Sequence, residues 1–356
     1  MEQAFFVRRS AGGLYHSSSR KNLHDFGRSP QTGSVCKNPR RIVDAPEHAM
    51  NAEIFAEWLR RQGHTVIKTQ SSYWADFGPR VLQAFPYHWL ISPDEEEIAT
   101  LMFDQKAAAL RYSTLQTSRL GAASYHVVLE SGQCSQTDLS KKARHDVKKG
   151  LSVSSIEQIP MRRLAIEGWE LRRDTLARQA RPRAETEQDW QRLCESAEGL
   201  SGFEAWGALV QGKLAASLLA FLCDDHYCIL YHQSLTKYLL LGVNNALTYA
   251  VTSSAIARLG NRTKIFYGLH SLDAPPSVDE FKFRMGYTAK PVRQRVVFHP
   301  WLRPFMNRAS HALLRAGLRL RPGHSALSKA EGMLRFYLQG RLPLEKQPLP
   351  PPLQSR

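Results

Sequence analysis

The chain has 356 residues, 43% hydrophobic and 22% charged, which excludes a disordered polymer and suits two domains of ordinary size. Its net charge of +16 sits mainly at the ends: residues 301–356 hold ten Lys and Arg against Glu331 and Glu345, whereas 50–300 is close to balanced. A nucleic-acid-binding core is therefore not expected, and the basic ends are either solvated or contacts for a phosphate-bearing partner such as a membrane.

No apolar run approaches the roughly 20 residues that span a bilayer, and the N-terminus lacks a charged-then-apolar signal pattern. Cys36, Cys134, Cys194, Cys223 and Cys228 form no C-x-x-C pair and no zinc spacing. Free thiols, no metal and a cytoplasmic location follow as expectations, with peripheral contact at the inner membrane face through the basic C-terminal segment.

Residues 1–49 show little periodicity and are expected to be disordered, or a mis-called extension ahead of Met50. Ile54, Phe55, Trp58 and Leu59 share one helical face, and Gly63 stops that helix. Thr65–Lys68 reads as a strand. Two aromatic runs follow, Tyr73-Trp-Ala-Asp-Phe77 and Phe85-Pro-Tyr-His-Trp89. They read either as core or as a substrate wall built from Tyr73, Trp74 and Tyr87. Ser92-Pro-Asp-Glu95 has the form of a capping box, and the helix it opens is expected to run to about Tyr112. Tyr125–Leu129 is a strand. This first half, 50–139, is mixed α and β.

Leu139-Ser-Lys-Lys-Ala-Arg-His-Asp-Val-Lys-Lys-Gly150 reads as a basic helix closed by its glycine. A strand over 151–159, a helix from Pro160 to about Gln179 and a second helix capped by Thr186 come next. Phe203–Val210, Leu214–Leu222 and His226–His232 are three strands joined by short turns, an antiparallel meander. A helix spans 237–259. Thr263–Tyr267 is a strand ended by Gly268; then Ser277-Val-Asp-Glu280 has the capping-box form, with Glu280 on the cap and Gly286 at C′. Pro291–Phe298 is the last strand. Residues 305–320 pattern as a helix with Arg308, Arg315 and Arg319 on one side and Phe305, Ala309, Leu313 and Leu320 on the other. It either packs on the domain or lies on a membrane surface, and a basic helical segment, 301–340, leads to a Pro-rich tail, 341–356.

From 151 to 298 the order is β, α, α, β, β, β, α, β, α, β. With Leu139-Ser-Lys-Lys-Ala-Arg144 and the Asp279-Glu-Phe-Lys-Phe-Arg-Met-Gly286 stretch, which is similar to an F-K-x-x-x-G signature, it resembles the Fem-type peptidoglycan-bridge transferases and the polysaccharide-biosynthesis-associated branch of the GNAT acyltransferases. The resemblance implies an α/β mixed-sheet GNAT fold over 140–300, in tandem with a degenerate GNAT-like half over 50–139. It implies an acyltransferase moving an acyl group, in the first instance acetyl, from coenzyme A to an amine of a sugar, amino acid or cell-envelope precursor.

In that family the donor arm lies between the fourth and fifth strands, here 226–232 and 263–267. The cofactor diphosphate lies at the N-terminus of the helix between them, Leu241-Gly242-Val243-Asn244-Asn245. Tyr231 and His232 would offer backbone N–H groups to the thioester. Lys282 is the candidate for stabilising oxyanion charge, the alternative being a solvated helix lysine. His270 and Asp273 are candidate bases, and Arg178, Gln179 and Arg181 candidate acceptor ligands. The usual Gln/Arg-x-x-Gly-x-Gly/Ala loop is missing, which leaves room for a carrier-protein donor or an aminoacyl-tRNA donor, the latter being the one reading that involves nucleic acid. A non-catalytic envelope-assembly protein on the same fold is the third reading.

Overall fold

The computed structural model describes residues 47–130, 135–179, 185–260, 263–273, 276–321 and 323–354. The expectations for 1–46 and for Arg181 lie outside these residues.

The first helix, α1 (Glu47–Arg61), begins ahead of Met50 and buries Phe55, Trp58 and Leu59 as its pattern predicts. Strands β1 (Val66–Lys68), β2 (Tyr73–Gly78) and β3 (Val81–Phe85) form an antiparallel run. Helix α2 (Glu95–Asp104) is capped by Asp94, whose carboxylate accepts from the Glu97 N–H, two residues after the expected cap at Ser92. The helix also ends sooner than expected. Residues Ala109–Thr114 form strand β4, buried at every position between β3 and β11 (Thr288–Phe298). Sheet pairing overrides the helical pattern there, because a segment buried on both faces gives no amphipathic signal. Strand β5 (Ala122–Leu129) follows.

Helix α3 (Lys141–Val153) runs through Gly150. The glycine marks a helix crossing, not a stop. A Cβ there would lie 2.4 Å from the Gly242 carbonyl oxygen, at the head of α6 (Val243–Leu259). The following strand, β6, is accordingly short (Ser155–Ile159). Helices α4 (Met161–Arg178) and α5 (Glu187–Glu195) come next, the latter opened by a Thr186–Asp189 capping box. The expected meander is present as β7 (Phe203–Val210), β8 (Lys213–Cys223) and β9 (His226–Ser234), antiparallel throughout.

After α6, strand β10 runs Lys264–Leu269, past the expected end at Gly268. Gly268 takes φ +131° at a shift of the β5–β10 register, a bulge that an L side chain would strain. Helix α7 (Pro276–Arg284) begins one residue before Ser277, so Ser277 is inside the helix and Glu280 is exposed: the expected capping box is not made. The C-terminal expectation holds. Gly286 N–H donates to Phe283 O and Tyr287 N–H to Lys282 O, a Schellman closure. Helices α8 (Arg308–Leu320), α9 (Ser325–Gly340) and α10 (Pro351–Gln354) complete the chain.

Among the described residues, eleven strands form one mixed sheet in the order β1-β2-β3-β4-β11-β5-β10-β9-β8-β7-β6. The sheet runs without a break from the strands of 50–139 into those of 140–300. One core, including Trp58, Leu171, Trp190 and Phe221, joins α1, α4 and α5 to the sheet. A second, including Val147, Leu247, Val251 and Tyr267, joins α3 and α6 to it. Helices on both faces bury β8 and β9 almost completely, which fits their long apolar runs.

Candidate active site

Strands β9 and β10 are parallel neighbours, paired at His226–Lys264, Tyr227–Ile265 and Cys228–Phe266. Beyond that point β9 carries an extra residue opposite Leu219 and Ala220 of β8, and β10 bulges at Gly268. Their mutual pairing stops at Cys228–Phe266, although β9 runs on to Ser234 and β10 to Leu269, so the two strands part at their carboxyl ends. A crevice at the carboxyl ends of parallel strands is where open α/β sheets take ligands.

Helix α7 crosses this opening and sends Lys282 into it, 5% exposed. The lysine is buried, so it is not a solvated helix residue. Its Nζ lies 2.8 Å from Asp279 Oδ1, one turn back on the same helix, and 5.2 Å from the centre of the Tyr267 ring on β10. Asp279 accepts a second hydrogen bond at Oδ2, 2.8 Å, from the Tyr125 hydroxyl on β5. Burial acts to raise the Asp279 carboxyl, but the Lys282 ammonium and the two hydrogen bonds outweigh it and hold the carboxyl below its usual range. Burial first, then the Asp279 charge, pushes the Tyr125 hydroxyl up, so it stays protonated and donating.

His232 on β9 faces the same opening. Its Nδ1 is 2.5 Å from the Tyr267 hydroxyl, and its buried Nε2 has no hydrogen-bond partner. Burial lowers its pKa to about 3, so the ring is neutral at physiological pH. In the tautomer in which the tyrosine hydroxyl donates to Nδ1, the ring proton sits on Nε2 and is available to a ligand. Phe281 of α7 packs beside this ring.

Of the expected site residues, Lys282 and His232 are therefore brought together, and the Tyr231 side chain is not. It points to the opposite face, into the α4–α5 core beside Trp190 and under the Arg172 guanidinium. His270 stacks on Tyr125 with ring centres 4.5 Å apart and meets Ser124 Oγ at 3.3 Å. Burial lowers its pKa to about 4, which makes it a weak base at neutral pH. Asp273 follows in the same loop and accepts from Ser271 Oγ.

The expected diphosphate cradle needs correcting at Gly242. It is the N-cap of α6 at φ +76° and offers no side-chain cap, but a Cβ there would lie 2.2 Å from the Asp146 carbonyl oxygen of α3. Its glycine is accounted for by the α3–α6 crossing. Val243 is fully buried, Leu241 and Asn244 are half-buried, and Asn245 Nδ2 meets Met285 Sδ at 3.2 Å. Two lysines of α3 are candidates for charge beside this turn, and Lys237 lies in the 3-10 turn that leads into it. Lys149 Nζ donates to Leu240 O at 2.8 Å and Lys148 is exposed.

Arg178 is also a correction. Its guanidinium donates to Asp174, Ser234 O and Oγ, Thr175 and Thr236, tying the end of α4 to the end of β9. It is committed to the fold. Gln179 is the C-cap of α4. Tyr73 and Trp74 do not form a wall: they sit on opposite faces of β2 in different cores, hydrogen-bonded to Glu53 and Thr69 respectively.

Asp279, Tyr125 and Tyr267 are not among the site residues that the sequence singles out. Asp279 had a signal, since a carboxylate three residues before a lysine on a helix is a neighbour of that lysine. The tyrosines had none, because they reach the site from strands about 140 residues apart in sequence. Away from the site, His88, Cys223 and Asp224 place one donor atom each within 4.8 Å of one another, and the Trp89 indole N–H donates to the Asp224 carboxylate at 2.9 Å.

No family model matches the chain, and no curated protein matches it in sequence. A solved structure does: the crystal structure of FemX superposes over 73% of this chain and 98% of its own, with a TM-score of 0.50 at 9% identity. The chain has the fold of FemX. Weaker likenesses are to the C-terminal domain of a putative lysylphosphatidylglycerol synthetase from Agrobacterium fabrum (TM-score 0.47, 11% identity, 70% of this chain and 92% of that one) and to a GCN5-related N-acetyltransferase from Kribbella flavida (0.39, 13%, 70% and 96%). The mixed α/β fold expected from the resemblance to Fem-type transferases is thus the fold found. At such identity the likeness to FemX concerns the fold alone.

Proposed function

We propose that the chain is an acyltransferase that moves an acyl group from an activated ester, in the first instance the thioester of acetyl-coenzyme A, to an amine of a sugar, amino acid or cell-envelope precursor. The observation that carries this reading is the buried Lys282 ammonium, fixed by Asp279 inside the opening between β9 and β10. A desolvated cation at that point serves a group that becomes negative during reaction, and attack of an amine on an acyl ester makes such a group of the carbonyl oxygen.

Coenzyme A, when bound, supplies a thioester carbonyl. Lys282 Nζ is the donor to that carbonyl oxygen, and Asp279 with Tyr125 keeps the ammonium from swinging away. Neutral His232 presents Nε2–H to the same space as a second donor, in the manner of an uncharged imidazole used as an electrophile. Holding donor and amine in one crevice makes the attack effectively intramolecular. His270 and Asp273 line the loop after β10, and the lowered pKa of His270 favours a positioning role over proton removal. Lys148 and the first-turn N–H groups of α6 suit a phosphate-bearing donor, with Gly242 itself turned towards α3.

A second reading has its own support. The Gly242 turn lies under α3 and lacks the usual cradle sequence, which favours a larger donor, an aminoacyl ester on tRNA, over coenzyme A. The test offers the protein carbonyl-labelled acetyl-coenzyme A and labelled aminoacyl-tRNA with a panel of amines, and reads product by mass spectrometry. Transfer from coenzyme A that is lost in Lys282→Met supports the first reading. Transfer from tRNA alone replaces it with the second, and binding of neither donor leaves the non-catalytic reading.

A further inference from the structure

Helix α8 buries none of its residues, although it is amphipathic. It rests on α9 through a His311 Nε2–Glu331 Oε1 pair at 2.8 Å. Between α8, α9 and the end of the sheet lies an open cavity of about 670 Å³, within the ~300–1,000 Å³ of small-molecule sites. Phe77, Val81, Phe298, Leu314, Leu327 and Met333 line it, and Ser310 and Lys329 contribute the only polar side chains among its lining residues.

The outer surface beside this cavity has two stripes. Spacings of seven and eleven residues put Arg308, Arg315 and Arg319 on one, all exposed and none with an acidic partner among the described residues. Leu313, 73% exposed, and Leu320, 83% exposed, form the other, continued by Phe305 and Trp301 at the approach to the helix. No acidic residue occurs from 301 to 330. Leu313 belongs both to the exposed stripe and to the cavity lining. Leu313 and Leu320 lie between the recess and the arginine row, which is on the face of α8 turned away from the lining residues Ser310, Leu314 and Gly317. An apolar recess edged by bare leucines, with unpaired arginines beyond them, suits an anionic lipid surface: chains inward, phosphates outward.

We propose that this face docks on an anionic membrane, with an acyl chain of a phospholipid entering the cavity while Arg308, Arg315 and Arg319 meet the phosphates of neighbouring lipids. The site is separate from Lys282 and stands whether or not acyl transfer is the chemistry.

The test uses the full chain and two probes: vesicles of phosphatidylcholine with or without phosphatidylglycerol, and monomeric dioctanoyl phosphatidylglycerol. Sedimentation is expected only with the phosphatidylglycerol vesicles and should weaken with salt. Replacing the three arginines by alanine is expected to weaken it ~100-fold, at about fivefold per charge near the surface. Ala330→Phe fills the cavity mouth from an exposed position. It should abolish binding of the dioctanoyl lipid while the thermal transition stays at the wild-type temperature. Equal binding to both vesicle types, indifference to the arginine replacements, or unchanged dioctanoyl binding by Ala330→Phe would each overturn the proposal. So would a dimer in solution that Leu313→Asp converts to monomer, since that assigns the face to a second copy of the chain.

Discussion

Asp279 Oδ1 and Oδ2 are each 2.8 Å from a different element: one from Lys282 on its own helix, the other from the Tyr125 hydroxyl on the central strand β5. The carboxylate therefore locks α7 to the sheet at the point where β9 and β10 part. With both members largely buried, the pair is structural and chemical at once.

Lys282→Ala should be destabilising as well as inactive. Removing one partner of a buried pair leaves an uncompensated charge, worth about 3 kcal/mol or more. Urea denaturation is expected to show that loss. The double variant Lys282→Met/Asp279→Asn should recover most of it, because the stranded carboxylate is gone, yet remain inactive. A double variant as unstable as the single one would remove Asp279 from the pair.

Gly242→Ala is expected to lower stability by about 1–3 kcal/mol from backbone strain at φ +76°, and further from collision with the Asp146 carbonyl. Since the glycine serves the α3–α6 crossing, a well-folded Gly242→Ala protein with weakened donor binding alone would contradict that account. Thermal denaturation with a donor titration separates the two outcomes.

Arg178→Ala should loosen the join between α4 and β9. Loss of charge-assisted hydrogen bonds predicts about 1.5–3 kcal/mol, seen in urea unfolding, with acceptor preference unchanged. A changed acceptor preference at wild-type stability would return Arg178 to the binding surface.

Acid sensitivity follows from the buried histidines. His126 and His270 have folded-state values lowered to about 3 and about 4 by burial, against an ordinary value near 6.5. The unfolded chain then binds more protons between those limits, so their stabilising contribution is complete above about pH 6.5 and declines as pH falls towards 4. Asp279, held below the ordinary carboxyl range, loses its contribution only at lower pH. Urea midpoints measured from pH 7.5 to 4.5 should fall in this range, and less steeply in His126→Gln. A flat profile would show these rings to be accessible to protons in the native state.

Much of the fold was legible because its elements carry local signals. The β7–β9 meander, the Thr186 cap, α1 and the Gly286 stop all follow from period, turn residues and capping. The misreadings fell where a distant contact decides. Gly150 and Gly242 look like a stop and a cradle, but are the two faces of one helix crossing. Residues 109–112 read as the end of a helix until β3 and β11 close on them. The site was partly legible for the same reason. Lys282 lies in a recognisable helix, whereas Tyr125 and Tyr267 acquire their roles only when β5, β10 and β9 become neighbours in the sheet.

The most direct test of the central claim, that Lys282 polarises an acyl carbonyl between β9 and β10, is the carbonyl carbon-13 resonance of a labelled donor bound to the protein. Acetyl-coenzyme A and an aminoacyl-tRNA would each be labelled at the carbonyl. The account predicts a downfield shift for one of them with the wild type, and its disappearance with the Lys282→Met/Asp279→Asn protein under saturating donor. A carbonyl that does not move on binding, or that moves equally in the variant, would contradict it.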